Sequence, residues 1–591
     1  MKKIICLFAC LALLSCTDDF LDKKPIDRIS DDAVFKDQAL IDAYIYELYN
    51  ELPLHKNDAG WSWNPNGATV YFSMVVCDEA RQQGEYWEHY VKWNKGLENA
   101  TDTYDQWWGY STIRKMNEFL DKIESSDLDE NQRRMYAAEV RFLRAFAYFE
   151  LVKRYGGVPI IKKAQQLDES EEELFVPRNK EKDVYDFIHA ELSEIKDYLP
   201  EMRNDAEYGR ATKYAALALD SRAMLYAASI AKYGEVQLDG VVGIPSNEAQ
   251  EYFRKSLEAS SAIMNYANTT HNIGLYNKYP EDKAKNFYEL FMDERNNETI
   301  FSVQYNGLSG KGHSLDFWLA VQGISVGWGQ EINVLLELVE AFEYVDGSSG
   351  KLDKESLSKG AYDIIELFKN KDPRFNGSIL YQDSPWQGAK IERYSGTWVV
   401  ENGEEVLYTS ANKTINGKPA CSPGGGPYAM TGFTPKKYYD ERLVNPLVNQ
   451  SETDFLVFRY GEILLNYAEA AYEIGRTEEA RNAINQLRQR AGVADKQHLT
   501  LADIRNERRV ELAFEQHRQW DVRRWRTAEN DLSGNFSGMK YYLEASTGKY
   551  RLEFDNMVDR YTRLFQKKHY YHPITPDRIA NNPKLVENPG Y

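Results

Sequence analysis

The chain has 591 residues, of which 43% are hydrophobic and 28% charged, a balance typical of a folded, water-soluble body. Its 91 acidic and 72 basic residues give a formal net charge of −19 at pH 7. Because an acidic surface repels phosphate, we expect no nucleic acid partner.

The first element along the chain is a short apolar segment that follows Lys2 and Lys3 and ends at Cys16. This pattern predicts a secretory signal peptide over residues 1–15, too short to span a bilayer. Ser15 directly before Cys16 resembles a bacterial lipobox, in which the cysteine is acylated and the chain is cut before it. We therefore expect a lipid at Cys16 that anchors the protein to a membrane. The alternative is an ordinary signal peptide with an incidental cysteine.

The remaining cysteines and histidines favour neither a disulfide framework nor a metal site. Only Cys77 and Cys421 are left once the signal is removed and Cys16 is acylated. The nine histidines show none of the spacings that zinc sites require. No P-loop, no Rossmann glycine pattern and no nucleophile elbow appears, so the sequence predicts no cofactor.

Helices dominate the first half of the predicted structure. Six segments place apolar side chains at a spacing of three and four residues, which predicts amphipathic helices. They are 38–52, 105–123, the long run that stops at Gly156-Gly157, 182–198, 213–232 and 249–266.

Residues 459–492 form the clearest repeated unit. Two helical patterns are separated by Gly475, and small alanines lie where the helices would cross. At about 34 residues, the unit is similar to a tetratricopeptide repeat. Such a unit cannot bury its own apolar face, so we expect the earlier helices to stack against it.

A change in composition marks residues 375–455. Stretches such as GTWVVENGEEVLYTS cluster strand-forming residues around Asn-Gly and glycine-rich turns. This predicts long loops with short strands that project from the helical body.

The segment ERRVELAFEQHRQWDVRRW, residues 507–525, alternates acidic and basic side chains. Neighbours three and four apart, such as Glu515 with Arg518 and Asp521 with Arg524, can pair on a helix face. Val510 and Trp520 lie on the apolar side. We therefore interpret this segment as a structural ion-pair network and not as a catalytic site.

Eight segments spread over the whole chain together resemble one family, the SusD/RagB-like outer-membrane lipoproteins of Bacteroidetes. They are CTDDFLDKKP, RFLRAFAYFELVKRYGGVPII, ATKYAALALDSRAMLYAAS, DPRF, TGFTPKKYY, FRYGEILLNYAEAAYEIG, ERRVELAFEQHRQWDVRRW and HPITPDRIANNPKLVENPGY. No single motif is specific, but all of them occur in order along the chain.

The resemblance implies a mainly α fold. Size alone favours more than one domain, whereas the family implies a single helical domain over residues 16–591. That domain contains four tetratricopeptide-like helix pairs, a loop-rich half with short strands, and loop-rich insertions around 270–455.

The resemblance also implies a role at the cell surface. A lipoprotein anchored in the outer membrane and facing the cell exterior would bind oligosaccharide or polysaccharide without cleaving it. It would then deliver the glycan to a SusC-like TonB-dependent transporter.

Two segments are the expected sources of glycan contacts in such a protein. Residues 75–96 and 313–329 combine polar groups that can bind sugar hydroxyls with indole rings that can stack on pyranose faces. The candidates are Asp78, Arg81, Trp87, Trp93, Trp318 and Trp328, with Trp61, Trp63 and the 386–398 loop as rivals.

Two other classes of function remain as alternatives. Helical repeats often bind proteins, so a scaffold of an outer-membrane complex is one. A surface glycoside hydrolase is the other. It would need two carboxylates on either side of the scissile bond, and 91 acidic residues neither support nor exclude such a pair.

Overall fold

The computed structural model describes residues 34–54, 70–84, 88–103, 105–325 and 329–591. The helices of these residues, in chain order, are α1 Gln38–Glu51, α2 Val70–Val75, α3 Glu88–Asn94, α4 Tyr110–Ile123, α5 Glu130–Tyr155, α6 Glu171–Leu174, α7 Glu181–Ile195, α8 Lys213–Tyr233, α9 Ala249–Thr270, α10 Lys283–Glu289, α11 Leu315–Leu319, α12 Leu336–Ala341, α13 Lys354–Leu357, α14 Ile364–Phe368, α15 Pro373–Ser378, α16 Tyr460–Glu473, α17 Thr477–Ala491, α18 Leu501–Glu511, α19 Arg518–Arg524, α20 Ala528–Asp531 and α21 Pro576–Asn581. None of them is both long and apolar enough to cross a bilayer.

The strands are shorter than most of the helices. They are β1 Ala80–Gln82, β2 Thr299–Val303, β3 Ile332–Val334, β4 Ala361–Tyr362, β5 Ile379–Leu380, β6 Pro385–Trp386, β7 Ala389–Lys390, β8 Tyr394–Glu401, β9 Glu404–Tyr408, β10 Thr414–Ile415, β11 Lys418–Pro419, β12 Thr434–Pro435, β13 Phe455–Arg459, β14 Gly538–Glu544 and β15 Tyr550–Asp555. Single 3₁₀ turns lie at Leu238–Gly240, Ser246–Glu248, Gly426–Tyr428 and Lys567–Tyr570.

The long helices pack in sequence, each against the next, as an array. α4 packs on α5, α5 on α7, α7 on α8 and α8 on α9, and α9 continues the array onto α16 and α17. Every residue of α8 from Tyr214 to Ala231 is buried, because the many alanines of this helix let the neighbouring helices approach closely. The prediction that the earlier helices stack against the 459–492 unit is therefore confirmed.

Local sequence signals set the ends of these helices. A capping box between Asp129 and Gln132 begins α5, and Gly156, with φ of 76°, ends it. Gly475, with φ of 85°, separates α16 from α17. One prediction was too long: the segment 105–123 is helical only from Tyr110, and residues 105–108 have no regular secondary structure before a turn at Gly109.

The loop-rich half has the short strands predicted for 375–455, and a sheet that was not predicted. β8 and β9 join β4, β14 and β15 in five strands of order β4-β15-β14-β8-β9, in which β14 and β8 run parallel. One hydrophobic cluster extends along the described chain from Phe35 to Leu585. The single domain over 16–591 stays a prediction, since residues 16–33 lie outside the described part.

A buried ion network connects the helical array to the loop-rich half. Glu511, at the end of α18, accepts hydrogen bonds from Arg374 of α15, Arg459 of β13 and Arg490 of α17. All four side chains are almost inaccessible to solvent. Burial alone would raise the pKa of Glu511, but the three guanidinium groups hold it well below its usual value.

The buried ion network is defined here as these four residues together with five further charged residues. They are Glu298, Asp372, Lys437, Glu507 and Glu515. The interpretation of the 507–525 segment as structural is confirmed. Asp521 pairs with Arg524 at 2.9 Å as expected, but Glu515 pairs with Arg459 at 2.7 Å and not with Arg518.

Residues 563–591 return to the first half of the chain. The Asn588 side chain donates to the Tyr155 carbonyl at 3.1 Å and accepts from Arg178 at 2.9 Å. The His572 amide donates to the Arg154 carbonyl at 2.7 Å. The end of α5 is therefore held by residues more than 400 positions further along the chain.

We predict that Glu511→Gln lowers the free energy of unfolding by about 3–5 kcal/mol, because it leaves buried arginines without their carboxylate. The matched control is Glu258→Gln, since Glu258 pairs with Arg254 at the surface, where both side chains are exposed. Loss of that pair should cost less than about 1 kcal/mol. Urea unfolding followed by circular dichroism measures both.

The difference in stability between Glu511→Gln and the native protein should depend on pH. A lowered pKa means that the Glu511 contribution is present above its ordinary value of 4.5 and is lost as the pH falls. The difference in free energy of unfolding between Glu511→Gln and the native protein should therefore become smaller in acid. Equal losses in both variants at neutral pH would contradict a stabilising role of the network.

Candidate functional site

The two segments singled out in the sequence lie side by side. β1 pairs antiparallel with β3, so that Ala80 faces Val334 and Gln82 faces Ile332. The pairing continues one residue further, where the Gln83 amide donates to the Glu331 carbonyl at 2.7 Å. The residues that follow β1 and those that precede β3 thus leave the same end of one short ladder, which we call the β1–β3 junction.

Trp318 lies next to this junction. It belongs to α11, and its carbonyl accepts a hydrogen bond from the Glu331 amide at 3.1 Å. Its indole is half-buried and packs edge-on against Phe317, with ring centroids 5.2 Å apart. The residue is only partly buried, whereas a ring of the core would be covered on both faces.

The described parts of the segment that joins α11 to β3, residues 320–325 and 329–331, lie close together. A Cβ atom at Gly329 would lie 1.6 Å from the Ala320 carbonyl oxygen, so only glycine can occupy this position. The Gln330 side-chain oxygen accepts from the Gln322 amide at 3.1 Å. These contacts fix the position of Trp318 relative to β3.

Aromatic and amide groups of the 386–398 loop support the same segment. The Ser325 hydroxyl donates to the Gln387 side chain at 2.9 Å. Trp386 is buried and packs on Tyr439 with ring centroids 4.6 Å apart. Trp386 is therefore a core residue beneath the segment and not an exposed ring of the loop.

Glu331 is an unusual buried carboxyl group at the junction. Its side chain is 4% exposed, and one of its carboxyl oxygens has no hydrogen-bond partner. Burial raises the pKa of Glu331 to about 7. The side-chain oxygen of Gln82, a residue paired with Ile332 in the ladder, is also buried without a partner. Each of these two oxygens can accept a hydrogen bond from a ligand or water.

Asp78 is not at the surface, which corrects the expectation that it grips sugar hydroxyls there. Its carboxylate binds Arg518 through two hydrogen bonds of 2.7 and 2.8 Å and Arg509 at 2.7 Å. Burial acts to raise its pKa, but the two guanidinium groups lower it well below the ordinary value. In this conformation Asp78 has a structural role, fixing the start of β1 against α18 and α19.

Arg81 is likewise buried and engaged by the protein. Its guanidinium donates to the carbonyls of Gln82 and Val558 and lies 3.6 Å from the Asp559 carboxylate. Burial lowers the pKa of Arg81, and Asp559 acts against that effect. A direct contact between Arg81 and a sugar has no support from this geometry.

Trp93 lies in helix α3 and is almost fully buried, which corrects the expectation that its ring stacks on a sugar. The ring is 6% exposed. The Arg523 guanidinium lies 5.1 Å from the ring centroid, and His572 packs against the ring at 5.4 Å. Stacking of Trp93 on a pyranose would require both to move.

Trp87, Trp328, Trp61, Trp63 and Cys16 lie outside the described residues. The described neighbours of two of them are close to the junction: Gly84 precedes the segment with Trp87, and Gly329 follows the one with Trp328. Glu331 and Gln82 were missed in the sequence. Nothing in the string GQEINV distinguishes a buried carboxylate from an exposed one.

Two family models match the chain. The model described as the SusD family covers residues 297–591, and the model described as starch-binding associating with outer membrane covers residues 19–225. Among curated relatives, SusD-like protein P2 of Formosa agariphila is 22% identical, over 100% of this chain and 99% of the relative. The starch-binding protein SusD of Bacteroides thetaiotaomicron is 25% identical, over 92% of this chain and 84% of the relative.

Solved structures show the same fold. A SusD-like protein of Bacteroides fragilis has a TM-score of 0.73 at 25% identity, and the match covers 96% of this chain and 100% of that one. A SusD-like carbohydrate-binding protein of the same species has a TM-score of 0.69 at 23% identity, covering 94% and 100%. A laminarin-binding SusD-like protein has a TM-score of 0.62 at 20% identity, covering 94% and 100%.

We predict that Glu331→Gln stabilises the protein at about pH 8 and has little effect at about pH 4. A pKa raised from 4.5 to about 7 means that the native state holds this proton more tightly than the unfolded chain does. The native protein therefore loses stability, about 3 kcal/mol, as the pH rises through this interval. Glutamine cannot ionise and avoids that loss.

Urea unfolding at both pH values measures the effect, with Glu404→Gln, at an exposed position of β9, as the control. A variant no more stable than the native protein at the higher pH would show that Glu331 is solvated or paired.

Proposed function

Because two family models match residues 19–225 and 297–591, the chain belongs to the SusD family, and we propose on this premise that it binds a glycan without cleaving it. The proposed ligand is an oligosaccharide or a stretch of polysaccharide. The names of three relatives support this ligand class, since these proteins are described as starch-binding, carbohydrate-binding or laminarin-binding.

The main structural support is the β1–β3 junction. It joins two segments separated by about 250 positions, and each leads directly into a stretch that contains a tryptophan proposed for the site. Trp318 is held beside them and is only partly buried. We therefore propose Trp318, Trp87 and Trp328 as stacking residues, and Glu331 and Gln82 as polar groups that orient the sugar.

The expected affinity is modest. Stacking a pyranose on an indole contributes about 1–2 kcal/mol per ring. Two or three rings with a few hydrogen bonds give a dissociation constant roughly between micromolar and millimolar. Weak binding suits a protein that must release its ligand to a second one.

We further propose where the glycan goes. The chain is lipid-anchored at Cys16 in the outer membrane, faces the cell exterior, and passes the glycan to a SusC-like TonB-dependent transporter. The description "associating with outer membrane" of one matching family supports the location. A sugar released into bulk water would diffuse away, so capture is useful only next to an import channel.

We predict that Trp318→Ala, Trp87→Ala and Trp328→Ala each weaken the binding of an oligosaccharide on which the organism grows. At least two of the three should lose about tenfold in affinity, the equivalent of one stacking interaction. Isothermal titration calorimetry measures the affinity, and the reducing ends formed during the titration are assayed in parallel.

The matched control is Trp108→Ala, since Trp108 is also half-buried but packs on Tyr110 and Tyr155 and lies in none of the segments considered for glycan binding. Unchanged affinity in all three variants would move the site elsewhere. Formation of reducing ends would contradict a non-catalytic role and favour the hydrolase.

We predict that Cys16→Ala releases a folded protein from the membrane in a strain that lacks the transporter. The reason is that acyl chains supply the anchoring energy, and a protein without them has no equivalent hold. Fractionation followed by immunoblotting measures the distribution between membrane and medium or periplasm.

The native lipoprotein, purified in mild detergent from the unmodified strain, should bring down a barrel of several hundred residues. Retention of Cys16→Ala in the membrane would contradict lipid anchoring. Recovery of the native protein alone would contradict a durable complex with the transporter.

A further inference from the structure

A polar cleft lies outside the β1–β3 junction. Its walls come from residues 201–214, between α7 and α8, from residues 271–273 after α9, and from residues 295–302 at the start of β2. Its volume is about 380 Å³. That volume lies at the small end of the range for pockets that bind small molecules.

Three hydroxyl groups on one wall lack good partners. The Thr299 and Ser302 hydroxyls lie close enough to the Tyr208 hydroxyl to lower its pKa, against the larger upward effect of burial. None of the three oxygen atoms, however, makes a hydrogen bond of acceptable geometry, and none is exposed to solvent. Ser302 is 4% exposed. Buried hydroxyls of this kind cost stability unless a ligand or water pairs with them.

Apolar surface lies beside these hydroxyls. Ile300 and Phe301 are buried and line the cleft, and so does Tyr214. The Tyr214 ring stacks on Tyr266, with centroids 4.0 Å apart and planes 25° apart, which holds it in a fixed orientation. Hydroxyl groups next to flat apolar side chains match a sugar ring, which has hydroxyls on its rim and C–H groups on its faces.

The charges of the cleft favour a neutral ligand. Arg203 and Arg210 line it, but both are paired with Glu139, at 3.0 and 2.7 Å. Arg295 lies 4.9 Å from the centre of the Tyr208 ring and pairs at 3.3 Å with Asp205, which is almost fully exposed. Because these arginines already have carboxylate partners, a negatively charged ligand would find little uncompensated positive charge.

We propose that this cleft binds one neutral sugar residue, hydrogen-bonded to the hydroxyls of Tyr208, Thr299 and Ser302. The proposal rests on the proposed function for its ligand class, but it assigns a second site. Asn296 and Asn297 also line a neighbouring open groove of about 800 Å³. Further residues of a longer glycan would leave the cleft along this groove.

The test uses saturation-transfer NMR on the full chain, with glucose, galactose, mannose, xylose and the charged sugar glucuronate as separate probes. The test variant is Tyr208→Phe combined with Ser302→Ala, which removes two hydroxyls and retains the ring. The matched control, Tyr198→Phe combined with Ser309→Ala, removes the same groups at exposed positions outside the cleft. Thermal unfolding of each variant verifies the fold.

We expect at least one sugar to bind and to lose about tenfold in affinity in the test variant, since hydrogen bonds are lost without a change in shape. Its affinity should not change in the control or in Trp318→Ala. If all sugar signals were lost in Trp318→Ala but kept in the test variant, the proposed binding site in the cleft would be wrong, and the proposed function would be supported. Preference for glucuronate over the neutral sugars would overturn the neutral class. If no probe binds the cleft but the oligosaccharide still binds in calorimetry, this inference alone fails.

Discussion

Every arginine of the buried ion network must find a carboxylate inside the protein, and this requirement fixes the relative positions of the two halves of the structure. Taking a charge out of water costs several kcal/mol, and a partner recovers that cost only at short distance and good geometry. Glu511 satisfies arginines of α15, β13 and α17 at once. These elements can therefore meet in only one arrangement. The strands of the β1–β3 junction and strand β2 of the cleft are built on that arrangement.

The same principle explains how β1, a strand of the proposed glycan site, is held in place. A strand of three residues has little stability of its own. Asp78 holds its start through Arg518 and Arg509, and Arg81 holds its middle through Asp559 and the Val558 carbonyl. These buried charges hold the start and the middle of the strand, so that its other end does not depend on the residues that follow it for its position.

The sequence predicts the helices well because helical periodicity, capping residues and glycine stops are local signals. It does not predict the environment of Asp78, since the partner Arg518 lies 440 positions away. Trp93 resembles an exposed ring in a polar segment until residues 523 and 572 cover it. The sequence does not predict β14 and β15. Neighbouring residues of β14 are both at least partly buried, so this strand lacks the alternation of buried and exposed positions that is typical of a surface strand. Pairings such as β1 with β3 depend on the whole fold and cannot be seen in either segment alone.

The contacts of residues 563–591 with the end of α5 set the order in which the chain can reach its final form. Asn588 satisfies the Tyr155 carbonyl, and the Arg154 carbonyl binds the His572 amide. The Asp78 carboxylate lacks its native partners until Arg509 and Arg518 have been made, and the Arg154 carbonyl lacks its partner until His572 has been made. The first half of the chain therefore cannot complete its packing during synthesis. The native packing of the first half therefore depends on contacts of very long sequence separation, and such contacts form slowly because a long loop of chain must close first.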